Sequence, residues 1–395
     1  MTSCMPCYAP WRMSCGCVLF VLALLIYAIF GSPTPDAYGW VEILIALLLL
    51  ASVRPPHLRQ DSFFLSVCSY GVFVPLLIGV IAGADILDIV RDLVPFLFLF
   101  LVLIYKDHVS ALGSSFYWLL SVMGFVFSVR AIIPYLDGLL TGGAFSLGAP
   151  ADLLYLANSP EVLFSALWLM GSGFVAFFYE GRIWRGGTFL ALSAVPLLSM
   201  ALMMQRAGLI SVFLVLCALI FGLVRRYPSR WILCVLIFGG VGLLLWPILS
   251  FLVHGLLWKT HVVGLNSRVQ EWHVVLSFVA RDWIHVLFGY GWGMRIENPA
   301  VGGLSVLYTH SLVSALLLKT GIIGAVVVLG SLGLAVFRAI PLVFQNRILF
   351  MALIFPLIIS AGIYASYKSL GFGLILLVFL ESAHQKLEKK PLFVS

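Results

Sequence analysis

Three side chains in this sequence have the type and setting for chemistry on an anionic substrate: Arg206, Arg268 and His310. Arg206 sits in Met203-Met204-Gln205-Arg206-Ala207-Gly208, a short polar break between two apolar runs. So short a hairpin has no topological use for a cation, and an arginine at the centre of a membrane span costs on the order of 2.5–3.5 kcal/mol. Snorkelling or pairing with an acid is one reading of it; an anion site at the membrane surface is the other. Arg268 follows Asn266 and Ser267, residue types that cap helices. Its competing role is an i,i+3 pair with Glu271, worth a few tenths of a kcal/mol. Two guanidinium forks match the oxygens of a diphosphate and stay charged at any relevant pH, and helix-start amides add to that attraction.

His310 lies where a long polar loop enters an apolar run, and it can exchange a proton near neutral pH. A lone histidine there is otherwise structural. A base beside a diphosphate site is the minimum set for moving a diphosphate-linked group onto a hydroxyl. Gln205 and Ser311, the sequence neighbours of Arg206 and His310, are secondary candidates for the same site.

The elements that must position these groups centre on Asn266–Gly324. Val269, Trp272, Leu276, Val279, Trp283 and Leu287 recur at three- and four-residue steps, which predicts an amphipathic helix over 267–287 lying in the membrane interface. Phe-Gly-Tyr-Gly-Trp-Gly, from Phe288 to Gly293, ends it in a tight turn. The chain then re-enters an apolar run at Ser311 and carries Gly321-Ile322-Ile323-Gly324.

The rest of the chain is apolar. Of 395 residues 62% are hydrophobic and 10% charged, against about 25% charged in soluble domains. With a mean hydropathy of +1.12 this reads as an all-α polytopic membrane protein, one membrane domain over 1–395. The short tails leave no room for an ATPase or a nucleotide-sugar domain. Twelve spans are predicted, centred on 17–30, 40–53, 63–82, 93–105, 110–133, 162–178, 188–204, 207–224, 231–251, 311–337, 348–364 and 370–380. The first is read as an uncleaved anchor.

Arg54, Arg59, Lys106, Arg182, Arg185, Arg225, Arg226, Arg338 and Arg347 then fall on one side, while acids such as Asp36, Asp85, Asp88, Asp92, Asp137, Glu161 and Glu271 fall on the other. Positive residues mark the cytoplasmic side. Both termini are therefore expected inside and two long loops, 134–161 and 252–309, outside, which in a bacterium is the periplasm. The net charge of +7 is topological on this reading and not a sign of nucleic-acid binding.

Other chemistry-bearing groups are weaker. Cys4 and Cys7 have C-x-x-C spacing without a second pair, so the seven cysteines form no framework. Asp85 and Asp88 could hold a cation, but no D-x-D pair opens an outer loop, so neither metal nor cofactor is expected. Gly171-Ser172-Gly173 reads as close helix packing.

Taken in order, Gln-Arg-Ala-Gly at a short hairpin, Ser-Arg-x-x-x-Trp opening a long loop, Leu-Phe-Gly-Tyr-Gly-Trp-Gly, then His-Ser with Gly-Ile-Ile-Gly eleven residues after the histidine, the segment from Met200 to Gly324 resembles the bacterial O-antigen ligase and O-antigen polymerase family of membrane glycosyltransferases. Ligases of that family often carry His-Asn where this chain has His310-Ser311. The resemblance implies a GT-C type fold with periplasmic interfacial helices in the bacterial inner membrane. It also implies an inverting, metal-independent transfer from a glycan on undecaprenyl diphosphate to a hydroxyl of lipid A-core, or of another lipid-linked glycan in a polymerase. Arg206 and Arg268 would hold the donor diphosphate and His310 would activate the acceptor. The competing classes are a secondary transporter or lipid flippase, for which Lys319 is the main charge inside a span, and a scaffold of an envelope assembly.

Overall fold

The computed structural model describes residues 14–34, 39–53, 62–140, 151–230 and 266–388, together with 232, 239–240, 250 and 254. The predicted ninth span, 231–251, falls almost wholly outside them, as do Cys4 and Cys7. The described chain is almost entirely helical. In order the helices are α1 Cys15–Phe30, α2 Trp40–Ser52, α3 Ser62–Ile81, α4 Ile86–Phe98, α5 Val102–Leu112, α6 Ser114–Leu140, α7 Ala151–Ala157, α8 Pro160–Phe174, α9 Ile183–Leu202, α10 Arg206–Arg226, α11 Asn266–Val279, α12 Trp283–Phe288, α13 Leu312–Val343, α14 Arg347–Gly362 and α15 Leu370–Glu388. A short antiparallel hairpin, β1 Ile296–Asn298 with β2 Leu304–Val306, is the one sheet among the described residues. Among the described residues six helical stretches are long and apolar enough to cross a membrane by length and composition, and four shorter helices are apolar.

The packing follows from which faces are small or apolar. α8 is buried on nearly every side and forms the middle of the bundle, as a helix apolar all round must. Its glycines admit neighbours closely: a Cβ on Gly171 would stand 2.6 Å from Ile348 Cγ2 of α14, and one on Gly173 2.9 Å from the Leu190 backbone of α9. Close helix packing is therefore what Gly171-Ser172-Gly173 does. The outward faces of α3 and α10 keep Phe73, Leu77, Ile81, Phe213 and Phe221 exposed, an apolar surface that suits hydrocarbon and not water.

Two departures from the sequence reading matter for the site. The predicted span over 93–105 is two helices, α4 and α5, broken at Leu99–Leu101. α4 begins seven residues before that span's expected start (93 − 86), so Asp88 and Asp92 lie within it and are buried at 4% and 3% exposure instead of standing in an outer loop. The predicted interfacial helix over 267–287 is also two helices, because Asp282 caps α12 through the His285 N–H at 2.9 Å and so ends α11 before it. Along α11 it is Glu271, Val275 and Val279 that face the protein, while Val269 and Leu276 remain exposed with Trp283 and Leu287 of α12. Much of the predicted apolar stripe therefore points away from the protein.

The glycine-rich turn after α12 reaches into the bundle, where it completes two broken helices. Pro75 has no N–H, so within α3 the Gly71 carbonyl lacks its helical donor. The Trp292 indole Nε1 donates to it at 3.0 Å, and the Trp292 backbone N–H donates to the Pro75 carbonyl at 3.0 Å. In α13 the backbone leaves helical geometry at Gly321, with φ 66°. The Leu318 and Lys319 carbonyls just before it accept from the Tyr290 and Gly291 N–H groups, each at 2.9 Å. Only glycine suits position 291, which combines φ 82° with a Cβ site 2.3 Å from the Gly79 nitrogen.

Buried charge fastens the same loop. Asp92 accepts from the Gly293 N–H at 2.9 Å, from Lys319 Nζ at 2.5 Å and from Lys368 Nζ at 2.9 Å. Lys319 also donates to the Met294 carbonyl and Lys368 to that of Leu307, the latter at 3.3 Å. One helix turn earlier Asp88 takes Arg295 through two bonds, at 2.6 and 2.8 Å, and Arg91 at 3.2 Å. Asp85 caps α4. Asp88 therefore serves arginines, and the pairing of Asp85 with Asp88 as a cation site has no support in its contacts.

Candidate active site

The candidate residues lie at the starts of α10 and α11 and in the loop entering α13, and Tyr364 lies just past the end of α14. The turn before α10 is strained. Met204 has φ 51°, the sole positive φ outside glycine among the described residues, and such conformations persist only where surrounding structure holds them. Gln205 follows as the residue before α10, 5% exposed, with its Nε2 buried and lacking a hydrogen-bond partner. Arg206 opens the helix, half-buried, and takes part in no ion pair among the described residues.

Arg268, in the first turn of α11, lies 3.6 Å from Glu271 Oε2. The i,i+3 pair thus exists, but beyond hydrogen-bond reach. Although 42% of the side chain is exposed, its Nη1, the atom that faces Glu271 Oε2, is buried with no partner within hydrogen-bond reach. Burial pulls the guanidinium below its usual range, against Glu271, Tyr364, Tyr155 and Tyr308, which act to hold it up. A buried N–H left unmatched costs about 1–3 kcal/mol, more for a charged group; an anionic oxygen placed there would remove that cost.

Tyr364 relates the two arginines. It follows α14, and its phenol lies beside the Ala207 backbone where both Arg268 and Arg206 act on it. Among the described residues no direct bond joins Arg206 to Arg268 or to His310. The first two share a surrounding, not a contact.

His310 is 13% exposed and is held twice by one carboxylate. Its backbone N–H donates to Glu271 Oε1 at 2.7 Å, and its Nδ1 lies 3.0 Å from Glu271 Oε2. Asn298, at the end of β1, donates its amide to the same Oε1 at 3.2 Å and to the Tyr308 carbonyl at 3.3 Å. Tyr308 stands edge-on to the His310 ring, centroids 5.8 Å apart, and its hydroxyl accepts from that of Tyr155 at 2.9 Å. With Glu271 ionised, the imidazole proton rests on Nδ1 and the lone pair on Nε2, which has no hydrogen bond among the described residues. Burial pushes the Glu271 carboxyl up to about 7, against the opposing pull of Arg268 and Asn298.

Ser311 is the cap of α13, its hydroxyl accepting from the Val313 N–H at 3.2 Å; its side chain has a structural task. Asn298, Tyr155, Tyr308 and Tyr364 carry no signal of such a role in the sequence, and the spacing of Glu271 points only to Arg268. Its place three residues after Arg268 was visible. Its bond to a histidine 39 residues later was not.

Scans of the chain against protein-family models and against curated proteins find no match.

Proposed function

We propose that the protein is a membrane-bound glycosyltransferase that moves a glycan from a polyprenyl diphosphate to a hydroxyl. The observation that carries this is the arrangement around Tyr364 and Glu271: Arg268, with a buried unmatched Nη1, and Arg206 both act on Tyr364, while Glu271 orients His310 with Nε2 free. In the step, the acceptor oxygen bonds to the anomeric carbon as the bond from that carbon to the diphosphate oxygen breaks. The leaving electron pair goes to the diphosphate, held by Arg206 and Arg268. The hydroxyl proton goes to His310 Nε2. A single displacement inverts the anomeric centre, and the donor is already activated, so the step draws on no nucleotide.

The finer reading is an O-antigen ligase with a lipid A-core acceptor, of twelve-span GT-C type, acting at the periplasmic face of the bacterial inner membrane with undecaprenyl diphosphate as carrier. It rests on the ordered motifs from Met200 to Gly324 and on the charge pattern of the loops. The polymerase reading differs only in the acceptor. A kinked span bearing a buried lysine would also suit a transporter, but the carbonyls freed at Gly321 already accept from Tyr290 and Gly291.

The test is transfer by purified protein from a lipid-diphosphate glycan, with and without chelator, for the parent and for Arg206→Ala, Arg268→Ala and His310→Ala. Glycan appearing on lipid A-core supports the ligase, and lengthened lipid-linked glycan the polymerase. Full transfer by all three variants would sink the site.

A further inference from the structure

The end of the bundle opposite the candidate active site carries a second basic site. α10 runs from Arg206 to Arg226, and α14 runs back from Arg347 to Gly362, just before Tyr364. One pair of helix ends therefore frames Tyr364, and the other pair lies a helix length away. There Arg225, Arg226 and Arg347 line one open cavity of about 730 Å³ with Tyr179 and Gly222. Among the described residues no carboxylate lines it and none of the three arginines is in an ion pair. The acid next to Tyr179, Glu180, is paired with Arg182 at 3.4 Å.

The local build favours a fixed site over scattered surface charge. The helix that carries Tyr179 widens into a π turn over Val175–Tyr179, a rare distortion that is frequent at functional sites. It sets the Tyr179 hydroxyl 3.6 Å from where a Gly222 Cβ would stand, so the absence of a side chain there leaves room. Arg226 lies over the Tyr179 and Tyr227 rings at 5.9 and 5.6 Å, and Arg347 over Phe344 at 5.9 Å, which restrains both guanidinium groups.

The rim beside Arg347 is apolar and uncovered: Phe344, whose ring lies under that guanidinium, is 50% exposed. A soluble anion would match the charge and leave that rim bare. A lipid matches both, since its phosphate meets the arginines and its chains lie on the aromatic rim. We propose that this cavity binds the headgroup of an anionic phospholipid, preferring one with two phosphodiesters because three arginines face no acid. This is independent of the transfer reaction and of the Arg206 and Arg268 site.

The test titrates the purified full chain with diphosphatidylglycerol, phosphatidylcholine and inorganic pyrophosphate, following melting temperature and bound lipid by native mass spectrometry. Diphosphatidylglycerol is expected to stay bound and raise the melting temperature, and the other two to leave it unchanged. Changing Arg225, Arg226 and Arg347 together to Ala should weaken that binding on the order of tenfold or more, whereas Arg182→Ala with Arg185→Ala should not. Equal stabilisation by phosphatidylcholine, or an equal loss in the Arg182 and Arg185 variant, overturns the site. Tight binding of pyrophosphate alone overturns the lipid assignment. Should the triple variant fail to fold, the parent titration decides, because the proposal falls if the parent does not distinguish the two lipids.

Discussion

The Glu271 carboxylate accepts the backbone N–H of His310 at 2.7 Å on one oxygen and faces its Nδ1 at 3.0 Å with the other. Two bonds from one side chain fix both the loop that carries His310 and the rotation and tautomer of its ring. The first holds whatever the protonation state of the histidine. The second decides which ring nitrogen is free to take a proton.

The pH dependence follows from the carboxyl being raised from 4.5 to about 7. Above about 7 the ionised carboxylate keeps the proton on Nδ1; below it, a protonated Glu271 donates to Nδ1 and removes the lone pair from Nε2. Transfer activity should rise as pH increases through about 7. Stability should move the other way. A carboxyl whose folded pKa is raised stabilises the fold fully below about 4.5, and that contribution is lost as pH rises through about 7. Initial rates and melting temperatures measured across this window on one preparation check both signs, and parallel trends would refute the assignment to Glu271.

Glu271→Gln separates the two bonds. The fixed backbone N–H of His310 requires the amide oxygen, which turns the amide NH₂ toward Nδ1 and stabilises the wrong tautomer. The variant should fold and insert, yet lose most of the contribution of a general base, on the order of 10²–10⁴ in rate. It should also lose the inflection near 7. Parent-like rates would show that His310 is not oriented through this carboxylate.

Arg268→Lys tests the donor site without removing charge. A lysine ammonium lacks the planar fork that presents two parallel N–H groups. Weaker donor binding is expected, seen as a raised KM for the lipid-diphosphate glycan, with a smaller change in kcat. The same substitution at Arg206 should act in the same direction, since the charges of both guanidinium groups are felt at Tyr364. Unchanged donor KM in both variants would remove the diphosphate from this place.

How much of this was legible from the residues differs by element. α3, α9, α10 and α14 stand within a few residues of where apolar run length and flanking charge put them, because those are local properties. The break between α4 and α5 was hidden by the unbroken apolar run Leu93–Tyr105. The burial of Asp92 depends on lysines 227 and 276 residues away, a pairing with no local trace. The site divides in the same way. Arg268 could be proposed because an arginine near hydrocarbon needs a reason, whereas Asn298 and Tyr364 have ordinary settings in the sequence and gain their meaning only from the fold.

Trp292→Phe tests whether the glycine-rich loop completes α3. Phenylalanine keeps much of the ring but removes the indole donor from the Gly71 carbonyl, which Pro75 has already deprived of its helical partner. Leaving that buried carbonyl unmatched should cost about 1–3 kcal/mol. Trp292→Ala adds a cavity and should cost about 3–5 kcal/mol. Unfolding in a denaturing detergent series gives the order, and a Phe variant as stable as the parent would mean the indole bond contributes nothing.

Asp92→Asn should be among the most damaging single changes outside the candidate site. It leaves Lys319 and Lys368 buried with no anion, and breaking a buried ionic group in this way costs about 3–5 kcal/mol. The combined variant with Lys319→Met and Lys368→Met removes the stranded charges and should recover much of the loss. Because Asp92 also accepts the Gly293 N–H and Lys319 holds the Met294 carbonyl, the damage should spread along the loop to Asn298, which donates to the Glu271 carboxylate. Transfer should therefore fall in Asp92→Asn even at temperatures where the protein remains folded. A variant that melts lower but transfers at the parent rate would show that the loop holds His310 without help from the buried charges.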